Sequence, residues 1–115
     1  MVTGQRADLS RGDLTGANLR DRDLRDADLH NTDLDSADLQ GCDLRGANLS
    51  DPSFVSANLH NGRLSNADLS HADLRITNLS NVEMENVELW RCSFRGYVIT
   101  PKRIHEILSC RDPEV

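Results

Sequence analysis

Ala37-Asp38-Leu39-Gln40-Gly41 is one copy of the five-residue unit that decides how this chain folds, and Ala17-Asn18-Leu19-Arg20-Asp21 is another. From Leu9 to Phe94 every fifth residue is Leu, Phe or Met, without a failure in eighteen positions, and fifteen of them are Leu. The residue two before each is small in most copies: Ala in eight, Gly in two, Thr or Cys in four. The residue directly before it is mostly Asp or Asn. Five helical residues advance a face by about 140°, and an odd step along a strand flips the side chain to the opposite face. A straight element would therefore scatter the leucines. They share one interior only if the chain turns between units, which makes a solenoid whose coils stack about 4.8 Å apart.

This architecture resolves a paradox of composition. The chain has 115 residues, 37% hydrophobic, 3% aromatic and 28% charged, with a net charge of −6, which is too polar and too poor in aromatics for an ordinary core. A narrow axis filled by a Leu ladder needs few aromatics, and burial of each Leu contributes roughly 1.5–3 kcal/mol. The size excludes a two-domain enzyme. The acidic balance argues against direct binding of nucleic acid or an anionic membrane. No apolar run approaches a membrane span, and Met1–Asp8 has no signal core, so a cytoplasmic protein is expected.

The run from Ala7 to Gly96, 90 of 115 residues, resembles the pentapeptide repeat family. The resemblance implies an all-β, right-handed quadrilateral parallel β-helix with 20 residues in each coil, hence about 4.5 coils. Phe54 and Phe94 stand 40 apart, which agrees with that coil length and not with one of 15. Residues 1–6 read as a lead-in, 7–96 as the β-helix and 97–115 as a capping segment. In the last of these, Thr100-Pro101 and the spacing of Ile104, Ile107 and Leu108 predict a short C-terminal α-helix.

Departures from the repeat mark the ends and one side. Arg22 occupies a small-residue slot in the first coil, where an open end lets its head reach water. Pro52 occupies another and predicts a local break in ladder pairing. Val82 and Val87 enlarge the same slot, predicting a wider last coil. Asp and Asn before each Leu, and Gly, Asn, Ser or Asp at the corners, suit turns through side-chain-to-backbone hydrogen bonds.

No catalytic, cofactor-binding or metal-binding constellation is legible, and no enzymatic activity is expected. Cys42 and Cys92 read as small buried hydrophobes on different sides, and Cys110 as a free thiol near the terminus. His30, His60 and His71 fall between Ser, Gln, Asp or Arg neighbours in 20-residue columns, and with His105 read as surface residues. The remaining signal is electrostatic. Asp8, Asp28, Asn48, Asp68 and Glu88 form one line, Asp13, Asp33, Ser53, Asp73 and Ser93 the next, and neither line holds a base.

The expected function is a non-catalytic scaffold that presents this acidic, ordered surface to a protein partner whose identity the residues do not name. Some members of the family imitate duplex DNA and bind DNA gyrase, protecting it from quinolones, so the resemblance also implies regulation of gyrase as an alternative. Residues 7–96 hold 16 acids and 9 bases, net −7. Spread over the rod, that is one charge per ~3 Å, against one per ~1.7 Å in duplex DNA. Trp90, Tyr97, Ile104, Ile107 and Leu108 concentrate apolar surface near the C-terminus and are read as capping or homodimer contacts.

Overall fold

The structure, a computed structural model, describes residues 8–89 and 91–93. Its topology is carried by fourteen parallel bridges, each joining residue i to i+20, from Asp8↔Asp28 to Asp73↔Ser93. The coil therefore holds 20 residues, and four columns of bridges run along it. The first coil spans 8–27, the second 28–47, the third 48–67 and the fourth 68–87. Each bridge is a single residue, and neither a continuous strand nor a helix occurs among the described residues. Stacking rather than strand length makes this a β-helix. The anticipated C-terminal helix lies outside the described residues, as do residues 1–7.

Within one unit, Ala37 is the slot, Asp38 the cap, Leu39 the centre, and Gln40 and Gly41 the two corners. The five amides of such a unit are all engaged. The slot amide closes the preceding turn, as Ala37 N–H donates to the Leu34 carbonyl at 3.0 Å. Cap amides reach the coil below, Asp38 to Ala17 at 2.9 Å, and centre amides the coil above, Leu39 to Asn58 at 2.8 Å. The second-corner amide also reaches up, from Gly41 to His60 at 3.0 Å. The first-corner amide, which has no main-chain acceptor, donates to the cap side chain two residues back, Gln40 to Asp38 Oδ1 at 3.2 Å. An unsatisfied amide in a stacked coil costs about 1–3 kcal/mol, which explains the preference for Asp or Asn before each Leu.

Every described second corner has a positive φ: fourteen non-glycine residues together with Gly16, Gly41 and Gly46. One left-handed residue before the closing amide is the type II turn pattern, and Asn, Asp and Gly tolerate it best. The centres fill the axis. From Leu24 to Leu79 every centre is essentially inaccessible, Phe54 included.

Thr32 and Thr77 are the buried polar residues among those described, and their hydroxyls donate to the turn carbonyls of Leu9 and Phe54 in the coil below, at 3.0 and 2.8 Å. Cys42 and Cys92 send their thiols to the Leu19 and Leu69 carbonyls in the same way, both at 2.9 Å. Cys42 and Cys92 are not joined to each other by a disulfide. Expected as small hydrophobes, they also act as donors between coils. Burial pushes the Cys42 thiol up to about 12, so it does not ionise near neutrality.

Arg22 is exposed, as its end position requires. Pro52 corrects an expectation. The slot amide belongs to the turn and not to the ladder, so Pro52 removes only the bond to the Leu49 carbonyl. Around it the ladder continues, with Ser53 N–H on the Thr32 carbonyl at 3.1 Å and Asp73 N–H on that of Pro52 at 3.0 Å. Val82 and Val87 are buried, and the Val82 turn bond is stretched to 3.4 Å.

Candidate functional site

The bridges place Asp8, Asp28, Asn48, Asp68 and Glu88 in one column, and Asp13, Asp33, Ser53, Asp73 and Ser93 in the next. Their local chemistry is largely turn chemistry. Oδ1 of Asp8, Asp28 and Asp68 accepts the amides of Ser10, His30 and Ser70 at 3.0–3.1 Å. Oδ1 of Asp13, Asp33 and Asp73 accepts those of Thr15, Asp35 and Arg75 at 3.1–3.2 Å. Asp8, Asp13, Asp28, Asp33 and Asp68 keep the second oxygen for an outside group, whereas Oδ2 of Asp73 is taken by the Arg75 guanidinium. Ser10 and Ser70 hydroxyls add bonds of 2.6 Å to Asp8 and Asp68.

At Asp8, Asp13 and Asp73 such bonds favour the charged carboxylate. The Ser10 hydroxyl and then its amide lower Asp8, and the corresponding groups of Thr15 lower Asp13. Asp73 is lowered chiefly by the Arg75 side chain, which forks onto it at 2.8 and 2.7 Å. The second acidic column, read as free of bases, is therefore reached by one cation from the neighbouring corner.

A different face carries the densest ion pairing. Arg25 forks onto Asp23 at 2.9 and 2.8 Å, and Arg45 onto Asp43 at 2.8 and 2.6 Å. Arg63 meets Glu83 at 3.5 Å across one coil step. The Arg25 side chain, followed by its amide, brings Asp23 down to about 2. The Arg45 side chain likewise lowers Asp43. An open groove of about 400 Å³ is lined by Arg25, Asp26, Arg45, Gly46 and Asn66. Glycine matters at its floor, because the Asp26 carboxylate lies where a Cβ on Gly46 would stand.

His30 and His60 sit where the columns predict. His30 Nδ1 lies 2.9 Å from Ser50 Oγ, and His60 Nδ1 2.7 Å from Ser80 Oγ. Each pair invites a nucleophile-and-base reading, and the proton direction opposes it. Asn48 Oδ1 is fixed as an acceptor by the Ser50 amide at 3.1 Å and also receives the Ser50 hydroxyl at 2.8 Å. The serine proton thus points at the amide, and His30 Nδ1 is the donor to Ser50; a general base requires the reverse. Asn78, Ser80 and His60 repeat the arrangement. Among the described residues no three His, Cys, Asp or Glu side chains converge to hold a metal ion.

Two features escaped the sequence reading. Asp35, a first-corner residue, reaches up one coil to serve the Val55 amide at 2.9 Å and the Ser53 hydroxyl, replacing the cap that Ser53 does not provide. Ile76 is 56% exposed, the one exposed large hydrophobic among the described residues, and its φ is +59°. A β-branched residue there is strained. The capping and dimer candidates Trp90, Tyr97, Ile104, Ile107 and Leu108 lie outside the described residues, as do Phe94, His105 and Cys110.

The family model of pentapeptide repeats matches the chain in eight copies, over residues 5–41, 13–51 and 53–91. Among solved structures, alr5209 from Nostoc PCC 7120, a pentapeptide repeat protein, superposes with a TM-score of 0.74 at 32% identity, covering 83% of this chain and 86% of that one. HetL, a pentapeptide repeat protein from Nostoc sp. strain PCC 7120 involved in heterocyst differentiation regulation, gives 0.61 at 28% identity, covering 80% of this chain and 46% of HetL. A pentapeptide repeat protein of the Arabidopsis thaliana thylakoid lumen gives 0.53 at 29%, covering 82% and 62%. No curated protein matches the chain in sequence.

Proposed function

The chain belongs to the pentapeptide repeat family, and from that premise we propose that it is a non-catalytic scaffold presenting ordered acidic columns to a protein partner. One observation carries this reading: a regular repeat engages all five of its amides and fills the axis, so the repeats differ chiefly in outward side chains held in register every 20 residues. A right-handed wind with four flat sides, as the family likeness implies, leaves those columns pre-ordered, and a partner that meets them costs the rod little conformational entropy. Asp28 and Asp68 in one column, with Asp33 and Asp73 in the next, select a basic surface.

Asn accepts the same turn hydrogen bond as Asp, which gives a clean test. Replacing Asp28, Asp33, Asp68 and Asp73 by Asn removes charge and keeps the caps. Affinity capture with the full chain should retain a partner that the fourfold variant loses at an unchanged melting temperature. Equal capture by both proteins defeats the acidic-surface reading.

The adjacency of the two acidic columns also favours a second reading, regulation of DNA gyrase by imitation of a duplex. Its assay is supercoiling with and without a quinolone. Inhibition or protection by the intact chain, lost in the fourfold variant, supports it; an unchanged reaction leaves the scaffold alone.

A further inference from the structure

We propose that the first coil is a docking end, and that its occupant is the first coil of a second copy of this chain. In the second coil the cap residues Asp33, Asp38 and Asp43 turn both main-chain groups toward the coil below. Asp33 donates its amide to the Gly12 carbonyl at 3.0 Å and accepts the Leu14 amide at 2.8 Å; Asp38 does the same with Ala17 and Leu19, at 2.9 and 2.8 Å. Asp13 and Asn18 hold the equivalent places in the first coil, and their amides meet no acceptor among the described residues. The axis is also open at this level. Leu9, Leu14 and Ala17 are half-buried, whereas the centres of the second and third coils are sealed.

An edge of this kind complements itself. Residues whose N–H and C=O point the same way exchange two hydrogen bonds when the edges meet antiparallel, and a two-fold axis across the end of the rod brings two first coils together in that sense. Charge selects the same surface. Residues 8–27 hold five carboxylates and four guanidiniums, net −1, whereas residues 28–93 hold eleven and four, net −7. Side-by-side contact opposes the acidic parts of two rods, and joining the first coils keeps them apart. Arg22, exposed and without an ion pair to a described residue, is placed to meet the partner's carboxylates.

The joint is independent of the acidic-surface reading, and the full chain tests it. Light scattering at tens of micromolar should give the mass of two chains, and exchange of the Asp13 amide should slow as concentration rises. Asn18→Pro deletes an amide that meets no acceptor among the described residues, and Arg22→Glu reverses the charge of a cation with no ion pair among them; each should halve the mass. Asn18→Ala loses the same cap to the Arg20 amide but keeps its own amide, and should remain a dimer. A monomeric intact chain overturns the proposal. So does a dimer that survives both Asn18→Pro and Arg22→Glu, since its joint lies elsewhere. Asp13 protection that ignores concentration also overturns it, because the chain then covers its own end.

Discussion

The second coil, 28–47, obeys every rule of the repeat, and the third, 48–67, breaks several, yet the two stack without a change of register. In the second coil the four caps Asp28, Asp33, Asp38 and Asp43 each hold a corner amide, and Thr32, Ala37, Cys42 and Ala47 each close a turn. The third coil loses a turn bond at Pro52 and a cap at Ser53, and Arg63 offers none. Its axis is nonetheless as dry as its neighbour's, with Leu49, Phe54, Leu59 and Leu64 all at 0% exposure. Its cap amides still reach down, from Ser53 to Thr32, Asn58 to Ala37 and Arg63 to Cys42. The interior and the ladder set the register; turn bonds and caps add stability one at a time.

That ranking can be broken at its top. Leu44→Asp in the regular coil and Leu64→Asp in the irregular one should both abolish folding, because an unpaired buried charge costs several kcal/mol. Far-ultraviolet circular dichroism and thermal melting would show it, and a native melt for either variant contradicts the assignment of the axis. Next comes Asp35→Ala, which strips the Val55 amide and the Ser53 hydroxyl together and should cost about 2 kcal/mol in a urea titration. Asn58→Ala removes one cap and should cost about 1 kcal/mol.

The reverse substitution sharpens the comparison. Arg63→Asn supplies the acceptor that the 63–65 turn lacks and should raise stability by about 0.5–1 kcal/mol, while the exposed contact with Glu83 that it sacrifices is worth little. Acid separates the coils as well. Asp43 is depressed below the ordinary carboxylate value of 3.8, so its contribution is complete above about pH 4 and is lost as pH falls through its folded value. The third coil caps with Asn48 and Asn58, which do not titrate. Amide exchange on acidification should therefore release Arg45 before Ser50 or His60, and Asp43→Asn should abolish the difference.

The period of five and the turn role of Asp and Asn were legible, because each follows from spacing or from a short side chain beside its own backbone; the 20-residue columns were implied by the likeness to the pentapeptide repeat family. Less was legible wherever a residue acts between coils. Asp35 looks like one more outward acid until Val55 is stacked above it. Cys42 reads as a hydrophobe until its sulfur is seen on the Leu19 carbonyl, in the same role as Thr32. Pro52 was misjudged because the sequence does not say which amide of the unit belongs to the turn. The acidic columns were foreseen as lines of charge. Which amide each capping Asp serves, that of the first corner two residues ahead, emerges only from the geometry.

The 20-residue step has a consequence for how such a chain can gain or lose length. Deleting one whole coil, such as 48–67, would set Asp68 directly on Asp28 and preserve every column beyond it. Deleting a single unit, such as 63–67, would instead turn all that follows by a quarter of a revolution: Asp68 would take Arg63's place above Asp43, and each later side chain would move to the neighbouring face. The axis would accept either change, since every unit brings a Leu, Phe or Met inward. Gene-level insertions in multiples of twenty lengthen the surface pattern, and those of five rewrite it at little cost to the core.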